Sequence, residues 1–378
     1  MRPLLPGELP FASRRLQVCV GAGGVGKTTL AAAIALRAAV AGRKALVCTI
    51  DPARRLADSL GLPELGHDRR RVPVERFAAA GLEPRGELWA MMLDLKRSWD
   101  ELIARHAPSV EQRDRIYANR FYRQLSSALA GSQEYIAVEK LYELSQTTDY
   151  DLIVLDTPPT AHALDFLDAP NRVVDFLDND AARWLLTPAL AAGKIGLGLF
   201  GRGGGRLFRG ISELTGAETL RELADFMLSL SGMYEGFKER AGKVKKLLAS
   251  PEAGFVLVTT PKPLTVGEAL QFHGALEKSG LAVGAVIANR VHADIRAAGG
   301  DELARAGRSD GLPEDLVRRI DRALSDARAL RHGDEEQLAR LRRAGIEPFA
   351  LMRRDRDVHD LGALWSLTEP LAAKGDAA

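Results

Sequence analysis

Cysteine is almost absent from this 378-residue chain: Cys19 and Cys48 are the only two, and no C-x-x-C pair exists. That excludes a structural zinc site built on thiolates and an iron–sulfur cluster held within one chain. It also leaves no three-thiol site for arsenite. Both cysteines sit in apolar, strand-like runs, which assigns them to core packing. Excess charge of one sign is lacking too, because 52 Lys and Arg face 50 Asp and Glu, for a net charge of +2. Such a balance gives no general attraction to nucleic acid, so no nucleic-acid partner is expected. No apolar run reaches the length of a bilayer span, and residues 1–13 lack the apolar centre of a secretory signal. A cytoplasmic protein is the expectation.

What the chain has is apolar bulk, 46% of its residues, enough for a large core, and one glycine-rich run. Gly21-Ala22-Gly23-Gly24-Val25-Gly26-Lys27-Thr28-Thr29 satisfies the phosphate-loop pattern G-x-x-x-x-G-K-[ST] in full. Glycines let successive backbone N–H groups turn inward around an anion, and the following helix N-terminus adds partial positive charge. Lys27 can reach the β- and γ-phosphates, and the Thr28 hydroxyl can enter a Mg²⁺ shell. The context fits, with a strand-like run at 16–20 before the loop and an Ala-rich helical pattern over 28–41 after it. Gly23, Gly24, Val25, Gly26, Lys27, Thr28 and Thr29 are therefore the candidate nucleotide-binding residues.

Further strand-like runs lie at 44–50, 88–93, 152–155, 255–259, 283–288 and 346–350, with helical patterns between them. This alternation predicts an α/β fold, a doubly wound and mostly parallel sheet. Ligands of such sheets bind beyond the carboxyl ends of the strands. Lys27, Asp51, Asp156 and Asn289 all fall at such ends. The predicted phosphate-loop core covers 1–95, 150–172 and 251–378. Residues 96–149 and 173–250 read as helical insertions, too long for plain connections. Residues 301–343 read as a charged helix.

Asp156 ends the apolar strand Leu152-Ile153-Val154-Leu155, where a carboxylate facing the loop would serve a Mg²⁺–nucleotide site, with Thr28 as the second metal-binding group. A strand-ending Asp that caps the next segment is the alternative. Asp51, in Asp51-Pro52-Ala53-Arg54-Arg55, ends the second strand and can orient a water for attack on phosphorus. It can equally cap the following helical turn.

The phosphate loop, Asp51-Pro52-Ala53 and Asp156-Thr157-Pro158-Pro159-Thr160-Ala161-His162 together resemble the arsenite-pump and tail-anchored-protein-targeting ATPase family. That family belongs to the P-loop NTPases with a deviant Walker A motif. Asp168-Ala169-Pro170-Asn171 continues the resemblance, which is specific over 16–62 and 150–172 and looser over 255–292 and 346–366. It implies ATP and Mg²⁺ as ligands, with Lys27 and Asp51 as catalytic residues and the segment from Asp156 to His162 as a γ-phosphate-sensing switch. It also implies that Asn289 reads the purine and that Asp357 belongs to an adenine loop. A local hydrogen bond by Asn289 and a helix cap at 357–361 are the alternatives. The resemblance, together with the missing guanine-reading Thr-Lys-x-Asp pattern, implies ATP rather than GTP.

Departures from the family pattern are informative. The lysine that precedes the Gly-Gly of the family's loop is Ala22 here, so Arg54 or Arg55 becomes the candidate replacement cation, and hydrolysis is expected to be slow or partner-stimulated. The chain carries a single ATPase half, which implies a homodimer, formed without zinc. In targeting relatives inserted helices bind a hydrophobic client helix or membrane protein. Trp184, Leu185, Leu186, Leu190, Ile195, Leu197, Leu199 and Phe200, with Phe226, Met227, Leu230, Met233 and Phe237, could line such a groove, or pack together as an ordinary helical cap. A binding module with little hydrolysis and a partition or septum-positioning type of ATPase are the alternative functions.

Overall fold

The computed structural model describes residues 9, 12–50, 54–123, 132–147, 149–157, 222, 226, 229, 233–295, 305, 312–355 and 357–372. The described residues fall into two compact units. One lies within Met1–Leu93, Leu144–Leu164 and Leu247–Ala378, the other within Asp94–Glu143 and Asp165–Lys246.

The first unit is built on an eight-stranded sheet. Its strands are β1 (Leu16–Val20), β2 (Lys44–Thr49), β3 (Arg70–Arg71), β4 (Glu87–Met92), β5 (Leu152–Asp156), β6 (Ala253–Thr259), β7 (Val283–Val291) and β8 (Phe349–Met352). Their order is β3-β4-β2-β5-β1-β6-β7-β8, and every pairing is parallel except that of β3 with β4. β1, β5 and β6 are buried at every position. This is why their sequences run apolar without alternation: a parallel sheet is covered on both faces. The chain leaves β1 towards β2 and later returns to its other side at β6, so the loop after β1 lies where the winding reverses.

Helix α1 (Lys27–Ala41) packs on the sheet through an almost wholly buried run from Leu30 to Ala39. Alanines at this face let helix and sheet approach closely. The other helices of this unit include α2 (Arg55–Ser59), α3 (Val74–Ala79), α8 (Pro263–Lys278), α9 (Glu314–Arg343) and α10 (Leu361–Ala372). α10 is tied to α1 through Arg37, whose Nε donates to Thr368 Oγ1 at 2.6 Å and whose guanidinium lies 4.0 Å from the Trp365 ring.

Two differences from the sequence reading have plain causes. β3 is two arginines with no strand pattern of their own; they pair with Trp89 and Ala90 of an established strand. The last strand begins at Phe349 rather than at 346, because the Ile346 N–H is spent closing α9 on Leu341 O at 3.1 Å and Pro348 has no N–H to give. No helix among the described residues is long and apolar enough to cross a membrane.

The second unit is helical, with α4 (Leu95–His106), α5 (Val110–Ala118) and most of α6 (Ser132–Ser145) and α7 (Tyr234–Leu248). Asp94 and Ser109 cap α4 and α5 through side-chain bonds to Arg97 N and Gln112 N. Phe226, Met233 and Phe237 are buried in its core with Leu102, Ile103 and Tyr135. These three residues thus pack inward, as the helical-cap alternative requires, and do not line an open groove; those from Trp184 to Phe200, with Met227 and Leu230, lie outside the described residues. Glu139, 4% exposed, accepts from Arg240 Nε at 2.6 Å, yet burial outweighs this partner and pushes its carboxyl above the usual range. Removing Arg240 leaves a buried unpaired carboxylate, whereas amidating Glu139 removes the desolvated charge. Arg240→Ala is expected to cost about 3 kcal/mol in urea denaturation, and Glu139→Gln under about 1 kcal/mol. Equal losses would show that the pair, not the buried charge, sets the balance.

Candidate functional site

The turn from β1 into α1 is made by glycines in conformations that other residues rarely adopt. Gly24 has φ +75° and Gly26, the residue before the helix, φ +99°. A Cβ on Gly26 would stand 2.4 Å from Asn289 Nδ2, and one on Gly21 would stand 2.1 Å from the Val258 carbonyl oxygen. The loop is therefore shaped from inside by its φ angles and from outside by β6 and β7.

Lys27 starts α1 and is 6% exposed. Its Nζ donates to the carbonyl oxygens of Gly21 and Ala22, both at 2.9 Å, so the ammonium is held across the mouth of the loop. Thr28 Oγ1 donates to Asp156 Oδ2 at 2.7 Å, and Thr49 Oγ1 donates to the same oxygen at 2.8 Å. Strand register explains the meeting, since Asp156 is paired with Cys19 of β1 and with Thr49 of β2. Asp156 is fully buried. Its charge is felt by the Cys19 thiol, which burial first and then Asp156 push well above the usual range, with Lys27 opposing. Cys19 is thus an inert core residue; neither it nor Cys48 is in a disulfide. Thr157 Oγ1 donates back to Cys19 O at 2.8 Å, fixing the backbone where β5 ends.

A cavity of about 650 Å³ opens from the loop along the carboxyl ends of β6, β7 and β8. Gly23, Gly24, Val25, Gly26 and Thr29 form one end, and Met352 to Asp355 and Asp357 the other. This volume suits a nucleotide-sized ligand. Asn289 lines it, but its side chain is also committed to the protein. Nδ2 donates to Val25 O at 2.8 Å, and Oδ1 accepts from Arg290 N at 2.9 Å. One N–H and one lone pair remain for a ligand. Asp357 lies on the cavity rim, its side chain 94% exposed. The cap of α10 is made instead by Asp360, whose Oδ1 accepts from Ala363 N at 2.7 Å. Arg54 and Arg55 are exposed at the start of α2. Asp51, Pro52 and Ala53, and the switch residues 158–162 with 168–171, lie outside the described residues.

The sequence reading missed Thr49, Lys262, Arg353 and the pair His292–Asp334. A hydroxyl ending an apolar strand was the available signal for Thr49. Nothing local marked the others, which the strand ends and α9 bring to the cavity.

The residues present fit a metal–nucleotide ligand. One hydroxyl and one carboxylate meeting at 2.7 Å are the sparse hard-oxygen donors that Mg²⁺ takes alongside water and phosphate. Strand, positive-φ glycine loop, buried lysine and helix N-terminus make this a P-loop NTPase fold. Residues 15–184 match the anion-transporting ATPase family. ATPase GET3 of Malassezia globosa is 27% identical over 289 residues, covering 76% of each chain. ATPase GET3B of Arabidopsis thaliana is 28% identical over 304 residues, covering 74% of this chain and 64% of its own. ATPase GET3 of Podospora anserina is 30% identical over 171 residues, covering 45% of this chain and 47% of its own. Over residues 15–184, somewhat under half of its length, the chain is thus similar to the anion-transporting ATPases.

Proposed function

We propose that this protein hydrolyses ATP as a switch, coupling a nucleotide-dependent homodimer to a hydrophobic client or membrane partner in the cytoplasm. The observation that carries the reading is a nucleotide-sized cavity lined by Gly23 to Gly26 and Thr29 of the same loop whose carbonyls hold the Lys27 ammonium, with Thr28 hydrogen-bonded to Asp156 at the start of the helix. Gly23 to Thr29 would hold the phosphates, with Thr28 and Asp156 holding Mg²⁺. The metal, bound with ATP, would draw charge off the phosphate oxygens. Lys27 supplies the fixed positive charge at the γ-phosphate, already oriented by two loop carbonyls. Asp51 accepts a proton from, and orients, the attacking water.

Ala22 stands where relatives of the resembled family carry a lysine that reaches the partner's nucleotide. Arg54 and Arg55, both exposed, are the cations near the first switch that could act in its place. One missing positioned cation typically costs on the order of 10²–10³ in rate, so basal turnover should be slow and should rise with the partner. Ala22 also motivates the second reading, a binding module that scarcely hydrolyses.

Phosphate release from Mg-ATP per chain, followed across protein concentration with Asp51→Asn as control, tests the proposal. A rate per chain that rises with concentration and disappears in Asp51→Asn is the expected result. Tight ATP binding without release in either protein would replace the hydrolase with the binding module.

A further inference from the structure

On the cavity wall built by the ends of β7 and β8 and by α9, three side chains from three elements meet. His292 follows β7, Asp334 lies on α9 and Arg353 follows β8. Asp334 is 5% exposed and its Oδ2 is doubly engaged, 2.6 Å from His292 N and 2.8 Å from His292 Nδ1. On the ring's other side, Arg353 Nη1 stands 3.2 Å from His292 Nε2. A guanidinium only donates and a carboxylate only accepts. Both contacts are satisfied together by one arrangement alone, the neutral ring with its proton on Nδ1 and its lone pair on Nε2 facing Arg353. Asp334 therefore selects the tautomer that lets His292 hold the arginine. Arg331, also on α9, donates to His292 O at 3.3 Å, anchoring the same residue through its backbone.

The strand order says which part of a nucleotide this corner would meet. β8 lies three positions from β1, in the order β1-β6-β7-β8. At about 4.8 Å per strand, β8 runs roughly 14 Å across the sheet from β1, the strand that leads into the phosphate loop. That separation is comparable to the reach of a nucleoside triphosphate from its last phosphate to its base. His292, Asp334 and Arg353 all line the cavity there.

We propose that His292 and Asp334 are positioning residues for the nucleoside end of the bound nucleotide, acting through Arg353, whose guanidinium they hold on the cavity wall where base and ribose dock. The proposal rests on the nucleotide reading of the cavity given above. It concerns binding and not the chemistry at phosphorus, because none of the three belongs to the loop and helix start that would hold the phosphates. It also gives α9 a part in nucleotide affinity, since the helix contributes Asp334 from a position 42 residues beyond His292.

The test combines steady-state hydrolysis with equilibrium binding of Mg-ATP to the full chain. His292→Ala and Arg353→Ala are each expected to raise Kd and KM about 10-fold with kcat within about 2-fold, since the lost contact is made equally before and during reaction. The double variant should be no worse than either single, because both remove one interaction. His292→Gln, which restores an acceptor towards Arg353, should recover most of the affinity. Arg353 is exposed, so its variant keeps the fold even if His292→Ala lowers Tm. Additive losses, unchanged KM in Arg353→Ala, or a fall confined to kcat would overturn the proposal. Failure of the wild-type chain to bind ATP at all would instead remove the nucleotide reading on which it stands.

Discussion

Alanine at Lys27 is expected to lower ATP-dependent phosphate release by about 10³-fold or more, the scale of losing a fixed charge aimed at the reacting group. The reason is geometric. The Lys27 ammonium is buried and held by the carbonyls of Gly21 and Ala22 at 2.9 Å each, so its position is set before any ligand arrives. No other cation sits within the loop Gly21–Lys27 itself. Binding should weaken as well, because an anion in the loop would then face only backbone N–H groups and the helix N-terminus. Stability should change far less than activity, by about 1 kcal/mol, the value of two hydrogen bonds to loop carbonyls that water can replace. Phosphate release and urea denaturation of the same variant separate the two effects. A variant that kept most of the wild-type rate would show that this loop does not carry the reaction.

Alanine at Gly26 is expected to damage both the fold and ATP binding. Two penalties coincide there: φ is +99°, and the new Cβ would lie 2.4 Å from Asn289 Nδ2. Positive φ in a non-glycine costs about 1–2 kcal/mol. The clash adds the loss of the Asn289–Val25 bond, so the total should reach about 3 kcal/mol, with ATP binding lost. Gly24 provides the contrast. Its φ is +75° but nothing lies within 4 Å of a new Cβ, so Gly24→Ala should show only the backbone penalty. Adding Asn289→Ala to Gly26→Ala should restore part of the stability, because the obstructing amide is gone. Denaturation midpoints of the four proteins decide the matter. Equal costs at Gly24 and Gly26 would mean that strain alone, not the meeting with β7, shapes the loop.

The sheet was legible in the sequence wherever a strand is buried on both faces, because such strands are short unbroken apolar runs. Leu152-Ile153-Val154-Leu155 and Phe255-Val256-Leu257-Val258 announce themselves in this way. Arg70–Arg71 could not, since nothing intrinsic to two arginines favours a strand; β4 recruits them. The positions of Lys27, Asp156 and Asn289 at strand ends were readable from the same runs. Register was not. That Thr49 and Thr28 would share one oxygen of Asp156 depends on which strand lies beside which, and sequence order puts β2 directly after β1 whereas the sheet puts β5 between them. The double commitment of Asn289, to Val25 and to Arg290, likewise appears only once Arg290 is seen to adopt φ +62°. Aspartates three apart, Asp357 and Asp360, divide the work of rim and cap in a way that no local pattern distinguishes.

The same strand order fixes a timetable for the chain as it is made. β1 carries the phosphate loop, but both of its neighbours, β5 and β6, emerge much later during synthesis. Until β5 is inserted, β1 and β2 have a gap between them where a strand belongs, and Thr28 waits for an aspartate 128 positions downstream. The loop's outer support comes later still, from an asparagine 264 positions beyond Val25. Contacts so distant in sequence close slowly and leave apolar edges exposed meanwhile. A newborn chain thus cannot engage its ligand in its first half, and truncated products should be poor competitors for ATP in the cell. The nucleotide can reward only the finished sheet, which makes ligand a reporter of completed synthesis.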